Sequence, residues 1–188
     1  MTAFEYFSVA FSFVLGLGVT RLLLGFLQVF RMREQLRPHW IPLAWGTSIF
    51  IYQIQFWWAV FELNTALAQW THSAFITLIR HTLLLFVAGA LVLPVQVQSR
   101  HDRLIDYFDE DGRWSILALA AYAALSFWTN WSLFGTSPLS RIGVIVSSIL
   151  VLALVGFFAR ARWLQGAVAI AFLVTAGVAY VALTPAQY

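Results

Sequence analysis

Arg21 lies within the apolar run Val14-Leu-Gly-Leu-Gly-Val-Thr-Arg-Leu-Leu-Leu-Gly-Phe26. A charge inside such a run costs from about 3 kcal/mol on insertion scales to roughly 10 or more in simulations. Some feature of the fold must therefore compensate it. Helical spacing places Val14, Gly18, Arg21, Gly25 and Gln28 on one stripe, small and polar, which should face protein and not lipid. A second stripe runs through Ser48, Tyr52, Gln55, Ala59 and Glu62, with Gln53 beside it. A guanidinium only donates hydrogen bonds, whereas a Gln amide and a Tyr hydroxyl both donate and accept. Together these groups could line a hydrated pathway or hold a polar ligand, so Arg21, Gln28, Tyr52, Gln53 and Gln55 are the candidate pathway or ligand-facing residues.

Arg21 is ten residues from Arg31, about 15 Å along a helix axis, too far to snorkel fully to the headgroups. No acid within a span shares its depth. Its expected partners are neutral: Gln53, Gln55, Tyr52, a freed backbone carbonyl, or water. The competing reading makes Arg21 a packing anchor bonded to carbonyls of a neighbouring span. Near the opposite face, Glu62 and Arg80 are candidates for a salt bridge, with Glu5 as the competing acid and His81 alongside.

Other chemistry is missing. There is no cysteine, which removes disulfides, thiolate metal sites and Cys nucleophiles. No carboxylate pair lies within a span, so no acid–base catalytic set is apparent. His39, His72 and His101 sit in loops and only His81 within a span, so neither a His metal motif nor a facing haem pair forms. Asp109, Asp111 and Gly112 resemble part of an EF-hand, but Tyr107 would take the first ligand position and Ala118 the last, so the segment reads as a hydrated turn. No P-loop is present, and Gly16-x-Gly18 without a preceding strand does not bind a nucleotide. No catalytic residue, metal or cofactor is assigned.

The elements that must position these residues are membrane helices. The chain has 188 residues, 61% hydrophobic and 10% charged, with a net charge of +3. Soluble domains carry about 25% charged residues. Six segments of about 20 apolar residues lie near 4–30, 40–62, 74–97, 114–135, 141–159 and 163–184. This predicts an all-α, polytopic membrane bundle of six transmembrane helices, one domain spanning 1–188. The apolar N-terminal run is too long for a signal peptide and lacks a basic leader.

All eleven basic residues are arginine, a bias that points to a bacterial source and hence an inner membrane. Arg31, Arg33, Arg37, Arg100, Arg103, Arg113, Arg160 and Arg162 fall in the first, third and fifth loops. The positive-inside rule makes those loops cytoplasmic and both termini non-cytoplasmic. Arginines in short loops between spans mark topology and give no nucleic-acid footprint. The tryptophans suggest two interfacial belts, Trp40, Trp45, Trp114 and Trp163 on one side, Trp57, Trp58, Trp70, Trp128 and Trp131 on the other. Loop three is the only sizeable polar segment, with Leu104, Ile105, Tyr107 and Phe108 predicting a short interfacial helix. Spans one to three hold more polar and aromatic residues than the rest, which places the expected functional interior in the first half.

The run Leu15–Leu24, the arginine-rich turn after it and Gln53-Ile-Gln-Phe-Trp-Trp58 resemble small six-span bacterial integral membrane proteins to which no activity is assigned. The resemblance covers about the first third of the chain and implies a six-helix membrane protein, with no ligand or catalytic residue. The expected function is a small oligomeric channel or transporter with a polar pathway near Arg21. The alternative is a non-catalytic accessory or sensor subunit of a larger membrane complex. Expected partners are membrane lipids and either further copies of the chain or another membrane protein.

Overall fold

A computed structural model describes residues 3–66, 71–95 and 102–183. They form α1 (Ala3–Arg31), α2 (Trp40–Ala66), α3 (His72–Val92), α4 (Leu104–Tyr107), α5 (Arg113–Phe134), α6 (Arg141–Phe158) and α7 (Arg162–Leu183), with a π-helical turn, Phe108–Gly112, joining α4 to α5. No strand occurs among the described residues; an isolated bridge pairs Arg37 with Arg103. The protein is all-α. Helices α1, α3, α6 and α7 are long and apolar enough to cross a membrane, compatible with a multi-pass integral membrane protein.

The long helices do not pack in chain order. Contacts run α1–α3–α5–α6–α7–α2 and back to α1, and α2 also packs against α3. That cross-contact divides the bundle into a three-helix corner, α1–α2–α3, and a five-helix ring, α2–α3–α5–α6–α7. The corner closes on glycine. A Cβ on Gly18 would stand 3.0 Å from Gln53 Nε2, and one on Gly89 2.8 Å from the same atom. The two glycines thus make the slot that admits a buried amide between three backbones. The ring is filled at one end by Trp45, which packs against Phe172 at 4.7 Å between ring centroids. Leu119, Ile149 and Ala153 are buried around it. Outside, Val9, Phe13, Leu17, Phe30, Val151 and Val174 stand exposed, the apolar coat expected of a surface that meets lipid.

Helix ends follow local chemistry. Thr71 and Ser140 cap α3 and α6, their hydroxyls accepting from the amides of Ala74 and Gly143. Leu93 is extended, at φ −129° and ψ 143°, the conformation a following proline enforces. Span three therefore stops at Val92, short of the expected 97, because Pro94 can neither continue the helix nor donate to it. Residues 96 and 97 lie outside the described residues.

Loop three also departs from expectation. Arg37 N–H donates to Asp102 O at 2.9 Å and Leu104 N–H to Arg37 O at 3.1 Å, which ties the first loop to the third. Leu104, Ile105 and Phe108 are fully buried beneath the bundle and not interfacial. The Asp-Glu-Asp-Gly segment is a π turn that runs on into α5, and not a loop. Asp109 lies 3.7 Å from Arg113 and pairs with Arg162, fastening the turn to α7. Trp45 leaves the predicted belt for the core, only 1% exposed, while Trp40, Trp57, Trp58, Trp114, Trp128, Trp131 and Trp163 are exposed at the helix ends. Trp70 lies outside the described residues.

Candidate functional site: a cavity in the five-helix ring

The expected pathway residues separate into different parts of the fold. Arg21 Nη2 donates to the Ala90 carbonyl at 2.7 Å. In a continuing helix that carbonyl would accept from the amide of residue 94, which is proline and has none. Arg21 therefore supplies the donor that Pro94 removes. The next carbonyl, Leu91, accepts from the Tyr107 hydroxyl at 2.9 Å. Both groups sit at the negative end of the α3 dipole, where a cation is favoured. Arg21 is level with the last turn of α3, so it lies near one end of that span and not at mid-depth. Tyr107, outside the spans, has its pKa raised, first by burial and then by Asp111. The phenol thus stays protonated and able to donate.

Gln53 belongs to the corner, its Nε2 donating to Leu85 O at 3.2 Å. Gln28 contacts Met32 Sδ at 2.8 Å, close to the end of α1. Neither lines the cavity of the five-helix ring. The same end of the bundle repeats the capping device on α6: Arg113 Nη2 and Gln165 Nε2 both donate to Ala159 O, each at 3.1 Å.

The remaining candidates, Tyr52 and Gln55, face the ring. There a cavity of about 1010 Å³ opens at the end opposite the arginine-rich loops. Its walls come from α2, α3, α5, α6 and α7. Both halves of the chain build it, whereas the sequence placed the expected functional interior in the first three spans. The stripe on α2 contributes Tyr52, Gln55, Ala59 and Glu62; α5 contributes Tyr122, Ser126, Thr129 and Asn130. The four α5 residues, at offsets of 4, 3 and 1 on one face, are the signal by which sequence reasoning could have found the second wall.

Several polar groups in this cavity have their bonds assigned. Gln55 Nε2 donates to Ala176 O at 3.0 Å, which holds α2 to α7. Asn130 Nδ2 donates to Ser126 O at 2.8 Å, leaving its carbonyl oxygen to the interior. The Tyr52 hydroxyl is buried with no partner among the described residues, a situation that costs about 1–3 kcal/mol.

Of the outer salt-bridge candidates, His81 is buried in the cavity wall. Its ring stacks on Phe56 at 5.6 Å and meets Tyr122 edge-on at 5.5 Å. His81 Nδ1 lies 2.8 Å from Thr77 O. A carbonyl only accepts, so the proton sits on Nδ1, and in the neutral ring Nε2 is the acceptor. Glu62 accepts from Trp58 Nε1 at 3.0 Å and lines the cavity mouth. Arg80 and Glu5 are exposed. Among the described residues no group of three His, Cys, Asp or Glu side chains could hold a metal ion.

Fold and site together define a class: an all-α bundle of membrane-length helices with an aromatic-walled cavity open at one end. Comparison with family models, curated proteins and solved structures found no match. Function must therefore be argued from this cavity.

Proposed function

We propose that the chain is a six-span protein of the cell membrane and that the cavity is its binding vestibule for a small, mainly apolar molecule. Both termini and the cavity mouth then face the non-cytoplasmic side, with the arginine-rich loops in the cytoplasm. One observation carries the reading. A cavity of about 1010 Å³ coincides with a Tyr52 hydroxyl buried without a partner among the described residues and with a His81 acceptor. Pockets for small molecules are mostly apolar with a few convergent polar groups of this kind.

Helices α2 and α5 fall short of the apolarity of the other four, yet they are 27 and 22 residues long. Tyr52, Gln55 and Glu62 of α2 and Tyr122, Ser126, Thr129 and Asn130 of α5 turn into the cavity. The shortfall is therefore a property of the vestibule and not of their depth, which supports six spans over four. Below the cavity, Trp45 and Phe172 fill the ring. A site open to one side and plugged beneath suits a carrier or a ligand sensor. It does not suit a continuous pore, and the expected channel along Arg21 gives way to this vestibule.

The cysteine-free sequence makes a direct test available. Ser126→Cys should react with a membrane-impermeant thiol reagent added from the non-cytoplasmic side of intact cells or oriented vesicles. A cysteine at Arg33 should react only from the opposite side. Labelling of Ser126→Cys solely from the cytoplasmic side, or from neither side, would overturn the reading.

A further inference from the structure

We infer that the vestibule takes a lipophilic organic cation, an inference that rests on the vestibule reading above. The charge distribution carries it. The protein has eleven arginines against eight acids, yet among the described residues no arginine lines the cavity, and the one charged side chain that does is the carboxylate of Glu62. Arg80 and Arg141 stand at the same end, both exposed and neither on the cavity wall. A cationic chain has thus built this cavity with a negative mouth, which favours entry of positive charge and opposes anions.

The walls suit the same ligand. Tyr52, Phe56, Trp57, Trp58 and Tyr122 all line the space, and aromatic faces attract a cation within about 6 Å, by about 2 kcal/mol or more where water is excluded. An apolar cation also loses less hydration than a compact ammonium on entering such walls. Tyr52 Oη and His81 Nε2 are acceptors in the inner wall, so a donor group on the cation has a place to bind. Glu62 is held in position by its hydrogen bond from Trp58 Nε1, which joins the carboxylate to the aromatic wall.

Three probes of nearly one shape and different charge separate the possibilities. Purified protein in detergent is titrated by calorimetry with tetraphenylphosphonium, tetraphenylborate and neutral triphenylphosphine oxide. The expected result is saturable binding of the phosphonium at least ten times tighter than of the borate. Glu62→Gln keeps an acceptor for Trp58 Nε1 and should weaken phosphonium binding about tenfold while leaving the neutral oxide unchanged; Glu62→Asp should restore most of the affinity. Borate binding as tight as phosphonium binding, or a Glu62→Gln variant that binds the phosphonium like wild type, would overturn the cation assignment alone. If no probe binds the wild type better than a cavity-filled, folded Ser126→Phe variant, the vestibule reading itself fails.

Discussion

The three-helix corner and the five-helix ring answer the same problem, polar groups inside an apolar bundle, in opposite ways. In the corner one donor of each polar side chain goes to backbone, while Arg21 Nη1 and Gln53 Oε1 stay buried without a partner among the described residues. Arg21 takes the Ala90 carbonyl, Gln53 the Leu85 carbonyl, and glycines bring the backbones close enough for this to happen. In the outer half of the ring the polar groups border a space of about 1010 Å³, and the Tyr52 hydroxyl is left without a partner. An intramembrane charge is a functional candidate by default, and here that charge bonds the Ala90 carbonyl and lies outside the cavity. The quieter tyrosines, histidine and serine border the space a ligand could occupy.

Placing a leucine in each region should give the widest contrast. Gly89→Leu forces a side chain against Gln53 Nε2, where a Cβ alone would lie at 2.8 Å. Overpacking of this kind costs about 1–3 kcal/mol. Ala59→Leu projects into open volume and should change stability by less than about 0.5 kcal/mol. Thermal midpoints of the two variants in the same detergent measure the difference, and equal losses would erase the distinction between the regions.

The capping role of Arg21 predicts a coupling to Pro94. Arg21→Met leaves the Ala90 carbonyl unpaired, a loss of about 1–2 kcal/mol. Pro94→Ala returns a backbone amide to that carbonyl, so Arg21→Met should cost less than half as much in that background. A double-mutant cycle with no coupling would show that Arg21 serves something other than the carbonyl.

Two tyrosines sharpen the comparison at smaller scale. Tyr107→Phe removes a made hydrogen bond and should destabilise by about 1 kcal/mol. Tyr52→Phe removes an unmade one and should be neutral or slightly stabilising. The opposite order in a denaturation series would place the satisfied group in the ring and the unsatisfied one at the end of α3.

The smallest effect expected is a pH dependence at His39. Its Nδ1 accepts from Ile41 N–H at 3.3 Å, and its pKa is lowered, first by burial and then by Arg162 and Arg103. The folded state thus favours the neutral ring. The stability this provides is present above the unfolded value of about 6.5 and declines as pH falls through it, because the unfolded chain then binds the proton more readily. His39→Asn keeps a capping acceptor and should flatten the slope of thermal midpoint against pH between 7 and 5.5.

Much of this was legible in the sequence, for physical reasons that differ by residue. Hydropathy located the helices because apolar length is a one-dimensional property. The α2 stripe of Tyr52, Gln55, Ala59 and Glu62 was readable because helical spacing fixes a face, and that face does line the cavity. Pro94 was the avoidable miss, since a proline near the end of an apolar run ends the helix and orphans a carbonyl four residues earlier. Helix order around the bundle was not legible. Nothing in the local pattern of α5 says that it packs between α3 and α6, and only that placement sets Ser126 and Asn130 across from Tyr52 and leaves Arg21 outside. Trp45 was misplaced for the same reason, since an indole near a helix end reads as interfacial until the neighbour that covers it is known.

The claim that function resides in the ring and not at Arg21 is tested most directly by titrating tetraphenylphosphonium into two variants side by side. The account predicts that Arg21→Met binds within about twofold of wild type despite a lower thermal midpoint. Ser126→Phe should stay folded and lose at least tenfold in affinity. Retained binding in Ser126→Phe together with lost binding in folded Arg21→Met would contradict it.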